Sequence, residues 1–238
     1  MMLKFAPLVS LLAVFTLMQA ALGTASITAQ SDKDVKDIVT NASSTIASST
    51  SIHFKLQMEG DSFVDPAGTI RLISAEGDLV RPDKVNVEFQ VQILGTANVT
   101  IKMVTIGAKS WTTDILTGNW GPAPVEFGYD PTVLFDTNNG LGPVISKLSG
   151  LKVEGTEKID GRSAYRISGI GSKEDIALLT AETMTGSSYK VNIWVDRENS
   201  HLLKITLAEP SDNGKKNPAT WTMNISNYDA DVTVEAPV

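Results

Sequence analysis

Apolar residues recur at every second position along much of this chain, and that period narrows what it can fold into. Ile52, Phe54, Leu56 and Met58 alternate with His53, Lys55, Gln57 and Glu59. Val85, Val87, Phe89, Val91 and Ile93 alternate with Asn86, Glu88, Gln90 and Gln92, and Val99, Ile101 and Met103 with Thr100 and Lys102. Successive side chains of a strand point to opposite faces, so the pattern predicts antiparallel strands with one apolar and one wet face. Gly60-Asp61, Pro82-Asp83, Gly95-Thr96 and Gly107-Ala108 separate them as turns. A weaker strand is expected from about Gly68 to Leu79, and a short hairpin between Trp111 and Trp120. Later strands are expected at Leu151–Ile159 and Ala164–Ile170, joined by the hairpin signal Asp160-Gly161, and around Tyr189–Val195, Leu202–Ala208 and Thr220–Asn227. About nine or ten strands make a sheet wide enough to curl strongly or close.

Helical spacing is confined to a few places. Val35, Ile38, Val39, Ala42 and Ile46 fall on one face of a helix that Ser31 or Asp32 can cap. Val133, Leu134 and Phe135 suit a short helix capped by Asp130, Leu141, Val144, Ile145 and Leu148 a second, and Ser172-x-x-Asp175 opens another. The stretch between Trp120 and Asp136, with Pro122, Pro124, Gly128 and Pro131, has no period. Because the helices do not alternate with the strands, the class is α+β, as a single domain over residues 30–238.

Composition removes several functions. Against 27 acidic residues stand 20 basic ones, and no basic cluster occurs, so no nucleic-acid partner is expected. The chain has no cysteine, which excludes disulfides, thiolate metal sites and cysteine nucleophiles within it. At the N-terminus, Lys4 precedes an apolar run from Phe5 to Leu17 and then the small residues Ala20 to Ala25. This describes an export signal over residues 1–29, cleaved after Ala25 or Ala29 or retained as an anchor.

Catalytic chemistry finds little to work with. His53 and His201 are far apart in sequence, without a neighbouring carboxylate cluster. No G-x-S-x-G, H-E-x-x-H, P-loop or G-x-G-x-x-G is present. Gly169-Ile170-Gly171 reads as a strand end, and Asp229 with Asp231 lacks the rest of a calcium loop. No enzyme activity, metal or cofactor is expected. What stands out is the apolar inner face, dominated by Val, Ile, Leu, Met and Phe, which either is filled by the helices or encloses a cavity.

The order of several short motifs resembles the mycobacterial LppX/LprAFG lipoprotein family. They are Gly77-Asp78-Leu79, Asn119-Trp120, Tyr129-Asp130-Pro131 with Leu134-Phe135-Asp136, and Gly140-Leu141. Gly155-x-Glu157-x-Ile159-Asp160-Gly161, Tyr165-Arg166-Ile167-Ser168-Gly169 and Trp194-Val195-Asp196 before Leu202-x-Lys204-Ile205 continue the series. The likeness runs from about Asp32 to Val238. It implies a strongly curved antiparallel sheet, an incomplete barrel of about ten strands, with helices over its concave side, a shape similar to the LolA/LolB carriers. It also implies a hydrophobic cavity for the acyl chains of lipids or glycolipids, and no catalysis. Carried onto this sequence, the lining is Phe54, Leu56, Met58, Val87, Phe89, Val91, Ile101 and Met103 from strands, and Leu134, Leu141, Val144, Ile145 and Leu148 from the covering helices.

The expected protein is therefore an exported monomer of the cell envelope or the exterior. It would carry an acylated lipid or glycolipid and meet a membrane transporter or acceptor. A lipobox cysteine, usual in the family, is missing, which predicts that the chain is not a lipid-anchored lipoprotein. A different reading of the same residues is an envelope interaction or sensor module with a filled core and no cargo.

Overall fold

The computed structural model of the chain describes residues 32–65, 67–124, 131–180, 182–184, 186–211, 214 and 216–237. The expected export signal, Asp130 as a cap, and Tyr129-Asp130 of the family motif lie outside these residues, as does part of the patternless stretch between Trp120 and Asp136.

Eleven strands form one antiparallel sheet. They are β1 (Ser51–Glu59), β2 (Ile70–Val80), β3 (Lys84–Ile93), β4 (Ala97–Ile106), β5 (Lys109–Thr113), β6 (Trp120–Pro122), β7 (Ser149–Ile159), β8 (Arg162–Ser172), β9 (Ser188–Asp196), β10 (Leu202–Ala208) and β11 (Thr220–Ser226). Their order across the sheet is β6-β5-β4-β3-β2-β1-β11-β10-β9-β8-β7. The chain thus makes two meanders, β1–β6 and β7–β11, stitched together where β1 pairs with β11. The short β6 and the long β7 remain as edges, so the sheet curves without closing.

Local chemistry accounts for most of these elements. In β1 the buried apolar residues are Ile52, Phe54, Leu56 and Met58, and His53, Lys55, Gln57 and Glu59 face outward, as period two demands. The β7–β8 turn places Asp160 at φ 48° and Gly161 at φ 82°, the double left-handed backbone of a type I′ hairpin. β2 is less regular. Its pairing with β3 slips between Leu72 and Ser74, and the buried positions change phase there, from Leu72 to Ala75, Gly77 and Leu79. A bulge of this kind bends a strand, and it explains why β2 carries the weakest alternation. At Gly77 the two strands come so close that an added Cβ would lie 2.1 Å from the Asn86 carbonyl oxygen.

Three α-helices and one 3-10 turn occur among the described residues: α1 (Asp32–Ser48), the turn Pro131–Phe135, α2 (Leu141–Ser146) and α3 (Lys173–Leu179). Val35, Val39, Ala42 and Ile46 are the buried stripe of α1, each contributing about 1–3 kcal/mol by leaving water. That stripe faces β7, β9, β10 and α2. Gly142 lets α2 approach closely, because a Cβ there would come within 2.8 Å of the Ser43 carbonyl oxygen, while Ser43 Oγ donates to the Gly142 carbonyl at 2.7 Å. Ser172 Oγ accepts from the Asp175 N–H at 3.2 Å and starts α3. α3 then lies against β8, β9 and the 3-10 turn, which itself reaches β2 and β3. The helices therefore cover the concave face, tightly over the C-terminal meander and through α3 and the 3-10 turn over the N-terminal one.

Candidate functional site

Between the N-terminal meander and its cover lies a cavity of about 1410 Å³. Strands β1 to β4 supply Phe54, Leu56, Leu72, Ala75, Val87, Phe89, Val91, Ile101 and Met103. Their alternation puts every second side chain on one wall. The central strands add Ile205 and Leu207 of β10, and Trp221 and Met223 of β11. The cover contributes Leu134 and Phe135 from the 3-10 turn, Leu141 from α2, and Leu178 and Leu179 from α3.

Of the residues expected to line a cavity, the structure brings Phe54, Leu56, Val87, Phe89, Val91, Ile101, Met103, Leu134 and Leu141 to this space. Met58, Val144, Ile145 and Leu148 are buried but belong to the packing around it. Met58 sits beneath the β1–β2 connection, where Ser62 Oγ lies 3.9 Å from its sulfur. Val144 and Ile145 are in the six-residue α2, whose main neighbour is α1. The β10, β11 and α3 contributions were missed. Ile205, Leu207, Trp221 and Met223 carry the same alternation as the residues that were found, but periodicity does not say which part of an inner face is covered tightly by a helix.

The polar side chains of the cavity wall are Asp65, Arg81, Asp136, Glu174, Glu182 and four threonines, and Arg81 and Asp65 among them are held by several hydrogen bonds. Arg81, at the end of β2, donates from Nε to the Ser49 carbonyl (2.7 Å), from Nη1 to that of Phe135 (2.9 Å) and from Nη2 to that of Ile46 (3.3 Å). Its guanidinium also lies 4.2 Å from the Phe135 ring centre. Partial burial lowers its pKa from the usual guanidinium value, and its N–H groups meet carbonyl oxygens and a ring face rather than a carboxylate. Asp65, in the β1–β2 connection, accepts from Thr69 Oγ1 (2.7 Å) and from the N–H groups of Thr69 and Ile70. The Thr69 hydroxyl, ahead of the backbone donors, holds this carboxyl below the usual range.

The histidines are elsewhere. His53 is on the outer face of β1, with Nδ1 2.8 Å from Asp78 Oδ1 and Nε2 3.3 Å from Glu76 Oε1. His201 stacks on Tyr228, ring centres 4.0 Å apart. Asp229 is committed to the Thr50 N–H (2.7 Å), and Asp136 to the N–H groups of Asn138 and Asn139. No group of three or more His, Asp or Glu side chains that could share a metal ion occurs among the described residues.

Comparison with known proteins places this geometry. The model of the family described as LppX_LprAFG lipoprotein matches residues 34–234. The chain is 26% identical over 228 residues to lipoprotein LprA of Mycobacterium tuberculosis, covering 91% of this chain and 87% of that protein. It is 25% identical over 221 residues to the lipoarabinomannan carrier protein LprG of Mycobacteroides abscessus, covering 91% and 92%. Among solved structures, LprF from Mycobacterium bovis superposes with a TM-score of 0.71 at 17% identity, over 88% of this chain and 99% of that one. LppX from Mycobacterium tuberculosis does so with a TM-score of 0.61 at 17% identity, over 86% and 100%. These two establish a common fold.

One expectation is overturned here. The chain was expected not to be a lipid-anchored lipoprotein, because it has no cysteine for a lipobox. The matching family, and LprA among the relatives, are lipoproteins by name. A missing cysteine speaks only for these 238 residues, and it does not outweigh a match over nearly their whole length.

Proposed function

The chain belongs to the LppX_LprAFG lipoprotein family, and on that premise we propose that it is a carrier that holds the hydrocarbon chains of an acylated lipid or glycolipid between its sheet and its helices. The observation that carries this reading is the cavity itself. At about 1410 Å³ it exceeds the usual small-molecule site of roughly 300–1,000 Å³, and its wall is built largely of Val, Ile, Leu, Met and Phe. Such a wall forms few directed bonds. It therefore selects for apolar volume and tolerates variation in the part of the cargo that stays outside.

The energetics suit carriage. An acyl chain of about 16 carbons loses on the order of 12 kcal/mol when drawn from a bilayer into water, at about 0.8 kcal/mol per methylene. An apolar cavity offsets most of that cost without covalent chemistry, so this function contains no catalytic step. The names of relatives, a lipoarabinomannan carrier protein and a putative diacylated glycolipid transporter, support the same class of cargo. Handing cargo to a transporter or acceptor in the envelope belongs to this reading.

Titration of the purified chain with a fluorescent fatty acid tests it. Saturable uptake that a diacylated lipid displaces is the expected result. Absence of uptake would leave an interaction or sensor module as the better account.

A further inference from the structure

Three of the large apolar side chains that the fold leaves in water are grouped, apart from Ile115, Leu116 and Ile170. Phe63, Val64 and Leu94 are 37%, 45% and 70% exposed, and hydrogen bonding makes them neighbours. The Val64 N–H donates to the Ile70 carbonyl at 2.9 Å and the Leu94 N–H to that of Thr69 at 2.8 Å. Ile70 pairs with Ile93, and Phe63 stands opposite Arg71. The three residues thus form one patch at one end of the N-terminal meander, built from the β1–β2 connection and the β3–β4 turn. Single exposed apolar residues are ordinary, whereas contiguous ones mark contacts.

Two features separate this patch from a slack loop. Asp65 fastens the connection through Thr69 and Ile70, as described, and Ser62 Oγ accepts from the Trp221 indole N–H at 3.2 Å. Leu94 has φ 49°, a left-handed conformation that Gly, Asn or Asp adopts more cheaply than Leu. The turn would form more easily with a polar residue, so a strained and exposed leucine points to a use outside the fold.

The patch continues into the cavity. Val64 and Ile70 belong to the lining, and so does Leu178 of α3, itself 48% exposed. We propose that this rim docks on the surface of a lipid bilayer, with Phe63, Val64 and Leu94 entering the boundary between headgroups and acyl chains. The inference rests on the carrier reading. A rim seated in the membrane gives an acyl chain an unbroken apolar path from bilayer to cavity, whereas a protein seated there would cover the entrance. The charged groups nearby, Asp61, Asp65 and Arg71, are of mixed sign, so the contact is apolar and needs no anionic lipid.

The lack of cysteine makes a direct test simple. In the full chain, L94C and, separately, F63C are labelled with an environment-sensitive fluorophore and mixed with phosphatidylcholine vesicles. K109C, at the first residue of β5 beyond the opposite end of β4, is the reference. The label at 94 or 63 should shift to the blue while that at 109 does not. In a second arm, L94D, an exchange suited to this backbone and outside the cavity lining, should slow transfer of a fluorescent lipid between vesicles about tenfold. Its uptake of dispersed fatty acid without vesicles should be unchanged. Labels at 94 and 63 that respond no more than the one at 109 would overturn the proposal. So would a blue shift that grows with protein concentration and needs no vesicles, which would assign the rim to a second copy of the chain. If the wild-type chain takes up no fatty acid even without vesicles, the carrier reading fails first and the rim proposal falls with it.

Discussion

The Arg81 guanidinium lies 4.2 Å from the centre of the Phe135 ring while its Nη1 donates to the Phe135 carbonyl oxygen at 2.9 Å. Through the same side chain, the carbonyls of Ile46 and Ser49 at the end of α1 are tied to the end of β2. A cation at a helix C-terminus also meets the negative end of the helix dipole. Arg81 therefore joins sheet, first helix and 3-10 turn where they meet at the cavity.

Replacing Arg81 by Met should cost about 1–3 kcal/mol, since hydrogen bonds from a charged donor to carbonyls are lost together. Arg81→Lys should recover little of it, because one ammonium cannot span three carbonyls in a fixed fork. Urea unfolding monitored by circular dichroism reads both variants. A wild-type midpoint for Arg81→Met would remove this residue from the account of the cavity's cover.

Filling the wall should separate binding from folding. Val91 and Phe89 of β3 both line the cavity, and Val91→Trp or Phe89→Trp extends a side chain into empty space rather than into packed atoms. Fatty-acid affinity should fall about tenfold while the far-ultraviolet spectrum stays native. Unchanged affinity would place the cargo elsewhere.

Gly77→Ala should be among the most damaging single-methyl additions in the chain. The new Cβ would lie 2.1 Å from the Asn86 oxygen and 2.8 Å from the Val87 Cα. Backbone cannot yield as a flexible side chain can, so the β2–β3 pair must shift, at a cost of about 3 kcal/mol. Gly118→Ala tests a different cause, since no atom lies near its Cβ and only its φ of 71° resists; it should cost less. Equal losses would contradict this view of β2 and β3.

Stability should fall on mild acidification, and His201 should be responsible for part of the fall. Burial first, and then the nearby Arg162, hold its pKa below the ordinary value, against the opposing pull of Asp196 and Asp229. The unfolded chain therefore takes up this proton more readily. The contribution of the neutral ring is complete above about pH 6.5 and is lost as the pH falls from there toward the folded-state value. The carboxyls of Glu154 and Glu157, lowered first by the Ser168 hydroxyl and the Trp194 indole respectively, lose their contributions only below the ordinary carboxylate range. Thermal melts of wild type and His201→Gln at pH 7.5 and 5.5 should show a smaller drop for the variant. Parallel drops would mean that His201 does not titrate differently in the two states.

Legibility followed the range over which each feature is determined. Strands such as β1 and β3 were readable because alternation is a local property, and the β7–β8 hairpin because Asp160-Gly161 suits the backbone the turn requires. β2 was faint because its bulge after Leu72 changes the phase of burial. The pairing of β1 with β11, which joins the two meanders, leaves no local mark, since His53 and Ser226 meet only in the folded chain. The same limit explains the wall. Phe54 and Val91 could be placed, but Trp221 and Met223 required knowing which strands the helices leave uncovered. Val144 and Ile145 turned out to belong to the α1–α2 contact that Gly142 makes close.

The carrier reading is tested most directly by purifying the chain under mild conditions from the cells that make it, extracting it with organic solvent, and identifying what is released by mass spectrometry. The account predicts an acylated lipid in stoichiometric amount, reduced in Val91→Trp. A chain that releases no lipid and does not take up a fluorescent fatty acid would contradict it.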